Sequence, residues 1–504
     1  MSHALTFVAS DYLDRPQHSR AGLLPDTAFA QRLVAEADDL QALLLWLGRL
    51  DSERHWDRDS ISALLARSLL ALDEQLNAQL NGILHHPQLK ALEADWRGVW
   101  LLTEQAAEDD SEGLVQVKVL DLSWHTLRKD LSRAMEFDQS QLFDRIYSQE
   151  FGHPGGAPFG LLLGAYSISH RGPGGQATMD VLPELTQVAA AAFAPLILNA
   201  APALFGVDRF ADLTGVTELD SHFAQPELAR WQSLRQMEDA RFLGMALPRM
   251  LMRAPWPENG QGPEGFNFRE QGADPERDYL WGHGCFAVGI VAIRAFCESG
   301  WFAQIRGFRR GRIAHGVVDN LPEIQHISAT GQLFPQRSGL DWQTSDRMER
   351  LLADQGFVPL MPLTNTPMLA LHSVPSVQQP AQYDQPDAQV SARLSAMLHY
   401  TLCVSRFAHF LKVMGRDRVG GYRSPEECES QMQRWLHGYT MGSEGASDEL
   451  RARFPLRSAS VRVKARVGQP GSYYSVIRLQ PHFQLDQLVT SMRLITELTP
   501  VNNN

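Results

Sequence analysis

Residues 279–299 read YLWGHGCFAVGIVAIRAFCES, and the interpretation of this stretch decides the fold. Gly282, Gly284 and Ala287 have the spacing of a dinucleotide-binding turn, which joins a buried strand to a helix. The residues before them, REQGADPERDYLW, are polar and contain a proline, so they cannot form the first strand of a parallel sheet. We therefore predict a helix from about Gly282 to Ser299, whose small residues let another backbone approach closely.

Strands and helices alternate around this helix. LVQVKVLDL (114–122) has the period of two that is typical of a strand, and the apolar run FGLLLGAYSI (159–168) predicts a central strand. An alanine-rich buried helix is predicted to end before Pro195, followed by a core strand at Leu196–Leu198. ARLSAMLHYTLCVSRFAHFLKVMGRD (392–417) predicts one long, mostly buried helix. The pattern is that of a mixed α/β (α+β) fold.

The chain divides into three predicted regions. Residues 1–60 form an N-terminal arm with a helical pattern over 26–50, residues 61–390 form an α/β region, and residues 391–504 form a C-terminal region. At the start of the second region leucines recur every three or four residues, which predicts an amphipathic helix. These leucines are Leu65, Leu69, Leu72, Leu76 and Leu80.

A β-hairpin is predicted at residues 459–479, ASVRVKARVGQPGSYYSVIRL, where two alternating strands flank the turn sequence GQPG. The first strand has an apolar face and a basic face. The apolar residues are Val461, Val463, Ala465 and Val467, and the basic residues are Arg462, Lys464 and Arg466. The pattern fits a half-exposed hairpin with a solvated face and, equally, a hairpin that takes a strand from another chain. The closing stretch LDQLVTSMRLITEL (485–498) predicts a short helix.

Composition and missing motifs argue against several functions. A net charge of −12 argues against binding to nucleic acid. The four cysteines include no C-x-x-C pair, so neither a zinc site nor a disulfide framework is predicted, and a reducing cytosol is expected. The apolar stretch 188–207 is interrupted by Pro195, Asn199 and Pro202, so no membrane insertion is predicted. Without a Gly-Lys pair there is no P-loop. We predict no catalytic residue, cofactor or metal.

Several long motifs occur together in a fixed order. They are EFDQSQLFDRIYSQEFGHPGGAPFGLLLGAY (136–166), ALPRMLMRAPW (246–256), GFNFRE (265–270), YLWGHGCFAVGIVAIRAFCESGWFAQIRG (279–307), YTLCVSRFAHFLKVMGRD (400–417) and VIRLQPHFQLDQL (476–488). From about residue 75 to its end, the chain resembles the large subunit of the type VI secretion contractile sheath, the TssC, VipB or EvpB family.

The resemblance implies a structural subunit rather than an enzyme. Family members pair with a small subunit, TssB (VipA), and with copies of themselves to form a helical sheath around a tube of Hcp. The sheath stands on a baseplate in the bacterial cytoplasm, contracts to propel the tube and its effectors, and is dismantled by the ATPase ClpV. The implied fold has inner sheath domains, an outer domain built with TssB, and a C-terminal hairpin that exchanges strands between subunits.

The resemblance also assigns expected roles to residues. Strand exchange is expected at Val461, Arg462, Val463, Lys464, Ala465, Arg466, Val467, Tyr474, Val476 and Arg478. The inner wall, facing the tube, is expected to carry Gln484, Asp486, Gln487 and Arg493. Recognition by ClpV is expected in the N-terminal region, with Phe29, Leu33, Leu40 and Leu44 as candidates.

Two other interpretations stay open. The chain is a cytosolic nucleotide-dependent enzyme if the turn from Gly282 to Ala287 binds a nucleotide. It is a sheath-like adaptor if it binds the baseplate or TssB without polymerising. Because residues 1–60 and 308–330 depart from the family pattern, the chain is either a primary sheath subunit or a diverged second copy.

Overall fold

The computed structural model describes residues 27–50, 57–153, 155–170, 175–216, 218–256, 266, 268, 270, 279–302, 304–307, 316–322, 338–364, 366–417, 425–442, 446–465, 473–482 and 492–498. Two compact units make up the chain: the first is Met1–Lys90 with Pro255–Asp278, and the second is Ala91–Ala254 with Tyr279–Asn504. The predicted three-region division stays a prediction.

The described secondary structure of the first unit consists of helices. Its helices are α1 (Thr27–Ala35), α2 (Asp39–Leu50) and α3 (Arg58–Leu84), and α4 (Pro87–Asp109) begins at its end. The helical pattern predicted over 26–50 is therefore two helices separated by residues 36–38. Helix α3 begins after Asp57, whose carboxylate accepts a hydrogen bond from the Ser60 N–H at 3.3 Å.

The second unit is built on a six-stranded sheet. Its strands are β1 (Leu162–Ile168), β2 (Leu196–Ala200), β3 (Leu243–Leu247), β6 (Val317–Val318), β7 (Val358–Pro362) and β8 (Leu369–Leu371). Their spatial order is β1-β2-β3-β7-β8-β6. Strands β1, β2, β3 and β7 are parallel, while β8 and β6 pair antiparallel. The predicted mixed α/β fold class is confirmed.

Further helices and 3₁₀ turns surround this sheet. The helices are α5 (Trp124–Arg133), α6 (Gln141–Phe143), α7 (Gln149–Gly152), α8 (Gly175–Ala191), α9 (Leu219–Phe223), α10 (Ala229–Gln236), α11 (Cys285–Ser299) and α12 (Asp346–Asp354). A π-helical turn, Asp144–Ser148, joins α6 to α7. A separate antiparallel pair consists of β4 (Met250–Arg253) and β5 (Leu280–Gly282).

Helix α11 is the helix predicted from residue 282, and it is buried along most of its length. Its apolar residues belong to the same core cluster as residues of β2, β3, β7 and β8. Because it lies in this core, small side chains are needed at its contacts. A Cβ atom added to Gly284 would lie only 2.8 Å from the Pro248 carbonyl oxygen. The predicted close approach of another backbone is confirmed.

The C-terminal part of the second unit is a three-stranded antiparallel sheet packed on helices. Its strands are β9 (Leu456–Ala465), β10 (Tyr473–Pro481) and β11 (Met492–Leu498), in the order β11-β10-β9. Its helices are α13 (Pro386–Ser395), α14 (Leu398–Asp417), α15 (Pro425–His437) and α16 (Asp448–Arg453). One core cluster contains Phe407 of α14, Met432 of α15, Val461 of β9 and Ile477 of β10.

Four sequence predictions differ from the structure. Residues 392–417 are not one helix, because the chain breaks at residues 396–397, where Met397 bridges to Pro375. Residues 492–498 are a strand paired with β10, not a helix. Strand β1 is at the edge of its sheet, not in the centre. Residues 114–122 form no strand and pair with none in the described part of the chain.

Candidate subunit interface

The hairpin of β9 and β10 has two chemically different faces. The strands pair in register, with Val461 opposite Ile477 and Val463 opposite Ser475. All four side chains are buried, and the three apolar ones belong to a core cluster with residues of α14 and α15. The basic side chains on the opposite face are exposed. The exposed basic residues are Arg462, Lys464 and Arg478. The predicted two-faced hairpin is confirmed, and its apolar face is occupied by the chain's own core.

The outer edge of β9 is covered by side chains of α15. Glu429 accepts a hydrogen bond from the Val463 N–H at 2.9 Å, and Gln433 accepts one from the Val461 N–H at 2.8 Å. The Gln433 amide also donates to the Ala459 carbonyl at 2.9 Å. Backbone groups that an added strand would use are thus already bonded. A strand from another chain cannot join β9 at these residues unless both side chains withdraw.

The edge of β10 that faces away from β9 pairs with β11 of the same chain. All seven residues of β11 pair with β10, with Ile495 opposite Val476 and Arg493 opposite Arg478. Within the described residues β11 has no neighbour on its far side. An edge strand that completes a sheet is the kind of element that two copies can exchange, because the same backbone hydrogen bonds form in either arrangement.

The predicted interface residues are distributed between described and undescribed positions. Val461, Arg462, Val463, Lys464 and Ala465 lie in β9, while Tyr474, Val476 and Arg478 lie in β10. Arg466 and Val467 lie outside the described residues, as do the inner-wall candidates Gln484, Asp486 and Gln487. Arg493 lies in β11, where only the backbone is described.

Glu429 and Gln433 were not predicted from the sequence. The sequence PEECESQMQRW places these two residues four positions apart on one helix, so both side chains lie on the same helix face. The sequence does not show that this face adjoins a strand edge.

Helix α3 exposes the leucine stripe that the sequence predicts. Leu65, Leu69, Leu72, Leu76 and Leu80 all remain exposed, and Leu69 is 61% exposed. The residues that α3 buries are polar: Ser68, Asn77 and Asn81. A contiguous exposed apolar stripe is typical of a protein–protein contact.

The ATPase-recognition candidates lie on two different helices. Phe29 and Leu33 are half-buried in α1. Leu40 and Leu44 are more than half exposed on α2.

The turn from Gly282 to Ala287 is used for packing. The N–H of Cys285, at the N-terminus of α11, donates to the Asn199 Oδ1 atom at 2.8 Å. The Asn199 amide nitrogen donates in turn to the Gly164 carbonyl at 3.0 Å. Asn199 therefore bonds the backbone donor that a dinucleotide phosphate would need at this helix end. A Cβ on Gly282 would collide with Met252 at 2.3 Å, so this glycine serves close packing.

Two kinds of feature are absent from the described part of the chain. It contains no group of three or more His, Cys, Asp or Glu side chains placed to hold a metal ion. No helix in it is long and apolar enough to cross a membrane.

Comparison with known proteins gives two family matches. The N-terminal domain of the EvpB/VC_A0108 tail sheath matches residues 66–378. The gpW/gp25-like domain of the EvpB/VC_A0108 tail sheath matches residues 387–498. The chain is also 35% identical, over 444 residues, to the type VI secretion system sheath protein TssC1 of Pseudomonas aeruginosa strain PAO1. That alignment covers 87% of this chain and 86% of the relative.

Two solved structures are more distant matches. The sheath tail protein of Desulfitobacterium hafniense aligns with a TM-score of 0.32 at 6% identity, covering 66% of this chain and 56% of that chain. A chain of the anti-feeding prophage baseplate aligns with a TM-score of 0.32 at 8% identity, covering 77% of this chain and 81% of that chain.

Proposed function

We propose, from the premise that this chain belongs to the EvpB/VC_A0108 tail sheath family, that it polymerises with a small TssB-like partner around an Hcp tube and contracts. The premise follows from two family matches that together span most of residues 66–498 and from the 35% identity to a type VI sheath protein. The chain is a structural subunit of a type VI secretion contractile sheath. Its proposed location is the bacterial cytoplasm, on a baseplate.

Copies are proposed to be linked by exchange of β11. The single observation that carries this proposal is that β11 is the outer strand of its sheet in the described residues and pairs only with β10, whereas Glu429 and Gln433 cover the opposite edge of the sheet at β9. A β11 that pairs with β10 of the next copy makes a contact that does not close on itself, and such a contact propagates into a helical filament. The backbone hydrogen bonds of the exchanged strand would keep neighbours joined while subunits rotate during contraction.

Removal of β11 tests this link. Truncation before Met492 should abolish tubules in electron micrographs of the chain co-expressed with its small partner, while the two chains still copurify. Normal tubules from the truncated chain would exclude exchange of β11. A wild-type chain that copurifies with the small partner but forms no tubules would instead support the non-polymerising adaptor.

The small partner is proposed to dock on the leucine stripe of α3. A long helix that exposes one apolar stripe and buries polar side chains matches a groove that receives another helix, with anchors every three or four residues. Burial of the exposed leucines would contribute about 1.5–3 kcal/mol for each side chain that becomes fully covered.

Charged substitutions on the stripe test this surface. Leu69→Asp with Leu76→Asp should abolish copurification with the small partner, with little effect on the melting temperature, because both residues are already exposed. Ala78→Asp is the matched control, since Ala78 is exposed on a different side of α3. Retained copurification of the Leu69/Leu76 variant, or equal loss in the control, would place the partner elsewhere.

Two finer roles are also proposed. Gln484, Asp486, Gln487 and Arg493 would face the tube, as the resemblance to the sheath family implies. ClpV would recognise α1 and α2 through Phe29, Leu33, Leu40 and Leu44. Replacement of Leu40 and Leu44 by Ser should slow ClpV-dependent disassembly of contracted sheaths without preventing assembly; an unchanged rate would remove α2 from this role.

A further inference from the structure

A cavity lies at the carboxyl ends of three parallel strands of the six-stranded sheet. Its volume is about 190 Å³, and its wall includes Ser167 at the end of β1, Ala200 at the end of β2 and Ala246 near the end of β3. Ligands of open α/β sheets bind in crevices outside the carboxyl ends of the strands. All of the lining residues belong to the second unit. The cavity is therefore a candidate ligand site, and it lies apart from the surfaces proposed above for subunit contacts.

The size and the lining of the cavity indicate a small, partly apolar ligand. Pockets for drug-sized ligands and cofactors have volumes of about 300–1,000 Å³, so this cavity is too small for a nucleotide. It has room for about six groups the size of a water molecule, at about 30 Å³ each. The apolar residues that line it are Ala200, Ala201, Pro202, Phe210, Ala246 and Pro248. This wall favours a short hydrocarbon chain over a bare inorganic ion.

The guanidinium group of Arg249, which also lines the cavity, is oriented by an ion pair. Its Nε atom donates to the Asp341 Oδ2 atom at 2.6 Å, and the backbone N–H of Arg249 donates to Asp341 Oδ1 at 3.0 Å. The Asp341 side chain is 2% exposed, whereas that of Arg249 is 39% exposed. The two terminal nitrogens of Arg249 make no hydrogen bond with the described residues. Such a pair of nitrogens can bind a carboxylate through two parallel hydrogen bonds.

The charges around the cavity favour a monoanion. His283 lines the cavity, and burial, followed by the charge of Arg249, lowers its pKa to about 4, so the ring is neutral at pH 7. Asp208 lines the cavity as well, but it is exposed and its charge is screened by solvent. A ligand with a single negative charge is compatible with this carboxylate, whereas a dianion such as phosphate would be repelled more strongly.

The His283 ring offers a second polar contact. Its Nδ1 atom is buried and has no hydrogen-bond partner in the described part of the chain. Its Nε2 atom lies 3.8 Å from the Asp95 carboxylate, which is beyond hydrogen-bond distance. An unbonded buried nitrogen is unfavourable, so a ligand group that bonds it is favoured. A hydroxyl group fits either tautomer of the neutral ring, because it both donates and accepts.

We propose that this cavity binds a short-chain hydroxycarboxylate, a molecule of about four carbons with one carboxylate and one hydroxyl group. The carboxylate would bond Arg249, the hydroxyl would bond His283, and the carbon chain would pack on Phe210 and the neighbouring alanine and proline side chains. The Cys285 N–H at the start of α11 takes no part, because it already donates to Asn199. The proposal is independent of the proposed function, so its failure would leave the sheath assignment intact.

Calorimetric titration of the purified full-length chain tests the proposal, with α-hydroxybutyrate and β-hydroxybutyrate as the probes. At least one of them should bind with a dissociation constant of about 1 mM or below. Butyrate, which lacks the hydroxyl group, should bind at least about fivefold more weakly. The matching hydroxybutyramide, in which a neutral amide replaces the carboxylate, should bind at least about tenfold more weakly. Sodium chloride at the same ionic strength should give no binding signal.

Three variants locate the site. Arg249→Lys keeps a positive charge but loses the planar fork, so it should weaken binding at least about tenfold. Arg209→Lys is the matched control and should bind like the wild type, because Arg209 is exposed, pairs with Asp212 and does not line the cavity. Ser167→Leu places a larger side chain in the wall at an exposed position, so it should abolish binding while the melting temperature stays close to that of the wild type.

The contrary outcomes are equally defined. No binding of either probe at concentrations up to about 10 mM would overturn the proposal. Binding of butyrate or of the hydroxybutyramide as tight as that of the probes would overturn the assigned ligand class. Equal losses in Arg249→Lys and Arg209→Lys, or wild-type binding by Ser167→Leu, would place the bound molecule outside this cavity. If Arg249→Lys lowers the melting temperature, Ser167→Leu is the deciding variant.

Discussion

The Glu429 carboxylate accepts a hydrogen bond from the backbone N–H of Val463 at 2.9 Å, so a helix side chain occupies the place of a neighbouring strand. Gln433 accepts in the same way from the Val461 N–H, so two backbone donors at the outer edge of β9 are bonded without a further strand. This arrangement leaves the β11 side of the sheet as the side on which we propose that strands exchange.

Removing the side chains that cover the edge of β9 should lower the stability of the fold and promote aggregation through that edge. In a variant with Glu429→Ala and Gln433→Ala, the N–H groups of Val461 and Val463 lose their acceptors, so the free energy of unfolding should fall by about 1–3 kcal/mol. The unpaired edge should also increase aggregation in light scattering. Glu429→Gln retains an acceptor and should stay within about 0.5 kcal/mol of the wild type. Wild-type stability of the double variant would show that these bonds do not protect the edge.

Close packing of α4 on α11 predicts the effect of a single methyl group. A Cβ atom added to Gly98 would lie 2.3 Å from the Phe286 ring, so Gly98→Ala should lower the free energy of unfolding by about 1–3 kcal/mol. Gly82→Ala is the control, because no atom lies within 4 Å of its added Cβ. The control should be neutral or stabilising by up to about 1 kcal/mol, since alanine is the better helix former. Urea denaturation measures both, and equal values would contradict the packing account.

A buried guanidinium supports the edge of the six-stranded sheet. Arg294 of α11 donates to the Gln105 side chain at 3.1 Å and also bonds Asp319 and the Val317 carbonyl. Arg294→Met should cost about 3–5 kcal/mol in thermal or urea unfolding, because Asp319 would lose its charged partner. A second substitution, Asp319→Asn, should recover part of that loss. A loss under about 1 kcal/mol for Arg294→Met would show that solvent replaces these bonds.

The shifted pKa values of Asp95 and His283, whose side chains lie 3.8 Å apart, should affect stability in opposite directions as pH changes. Burial raises the pKa of the Asp95 carboxyl to about 6, so between pH values of about 4 and 6 the folded protein keeps a proton that the unfolded chain releases. Stability from this group falls as pH rises. Burial, and to a lesser extent the Arg249 charge, lowers the pKa of His283 to about 4. The unfolded histidine therefore holds the extra proton, and this group makes stability rise with pH up to about 6.5.

Asp95→Asn separates these opposing effects. The variant lacks this partly desolvated carboxylate, so it should be more stable than the wild type at pH 7, and the difference should vanish near pH 4. Between pH 4 and 6 the melting temperature of the variant should rise more steeply with pH than that of the wild type, because of these two groups only His283 remains. Parallel melting curves for the two proteins across this range would contradict the raised pKa of Asp95.

Local patterns predicted several elements, and long-range pairing decided the others. The period of two identified β9 and β10, and the apolar run after Gly284 identified α11, because each signal lies within one element. The edge position of β1 could not be predicted, since strand order depends on residues far apart in the chain. The sequence MRLITEL in β11 has leucine spacing compatible with a helix, and pairing with β10 decides in favour of a strand.

The candidate site was only partly predictable for the same reason. The two-faced strand around Arg462 and the stripe of α3 were visible as patterns, but the sequence does not show which face another chain covers. Glu429 lies 34 residues before its bonded partner Val463, and Gln433 lies 28 residues before Val461. Contacts over such distances in the sequence leave no local pattern.

A disulfide between β10 and β11 tests strand exchange most directly. Val476 and Ile495 are opposite each other in the register, so Val476→Cys with Ile495→Cys should oxidise readily. Cys297, a partly exposed cysteine, is replaced by Ser in the same chain. If copies exchange β11, oxidised sheaths should give a ladder of covalent oligomers on non-reducing gels, and reduction should remove it. A fully formed disulfide that leaves every chain in assembled sheaths monomeric on the gel would contradict the account.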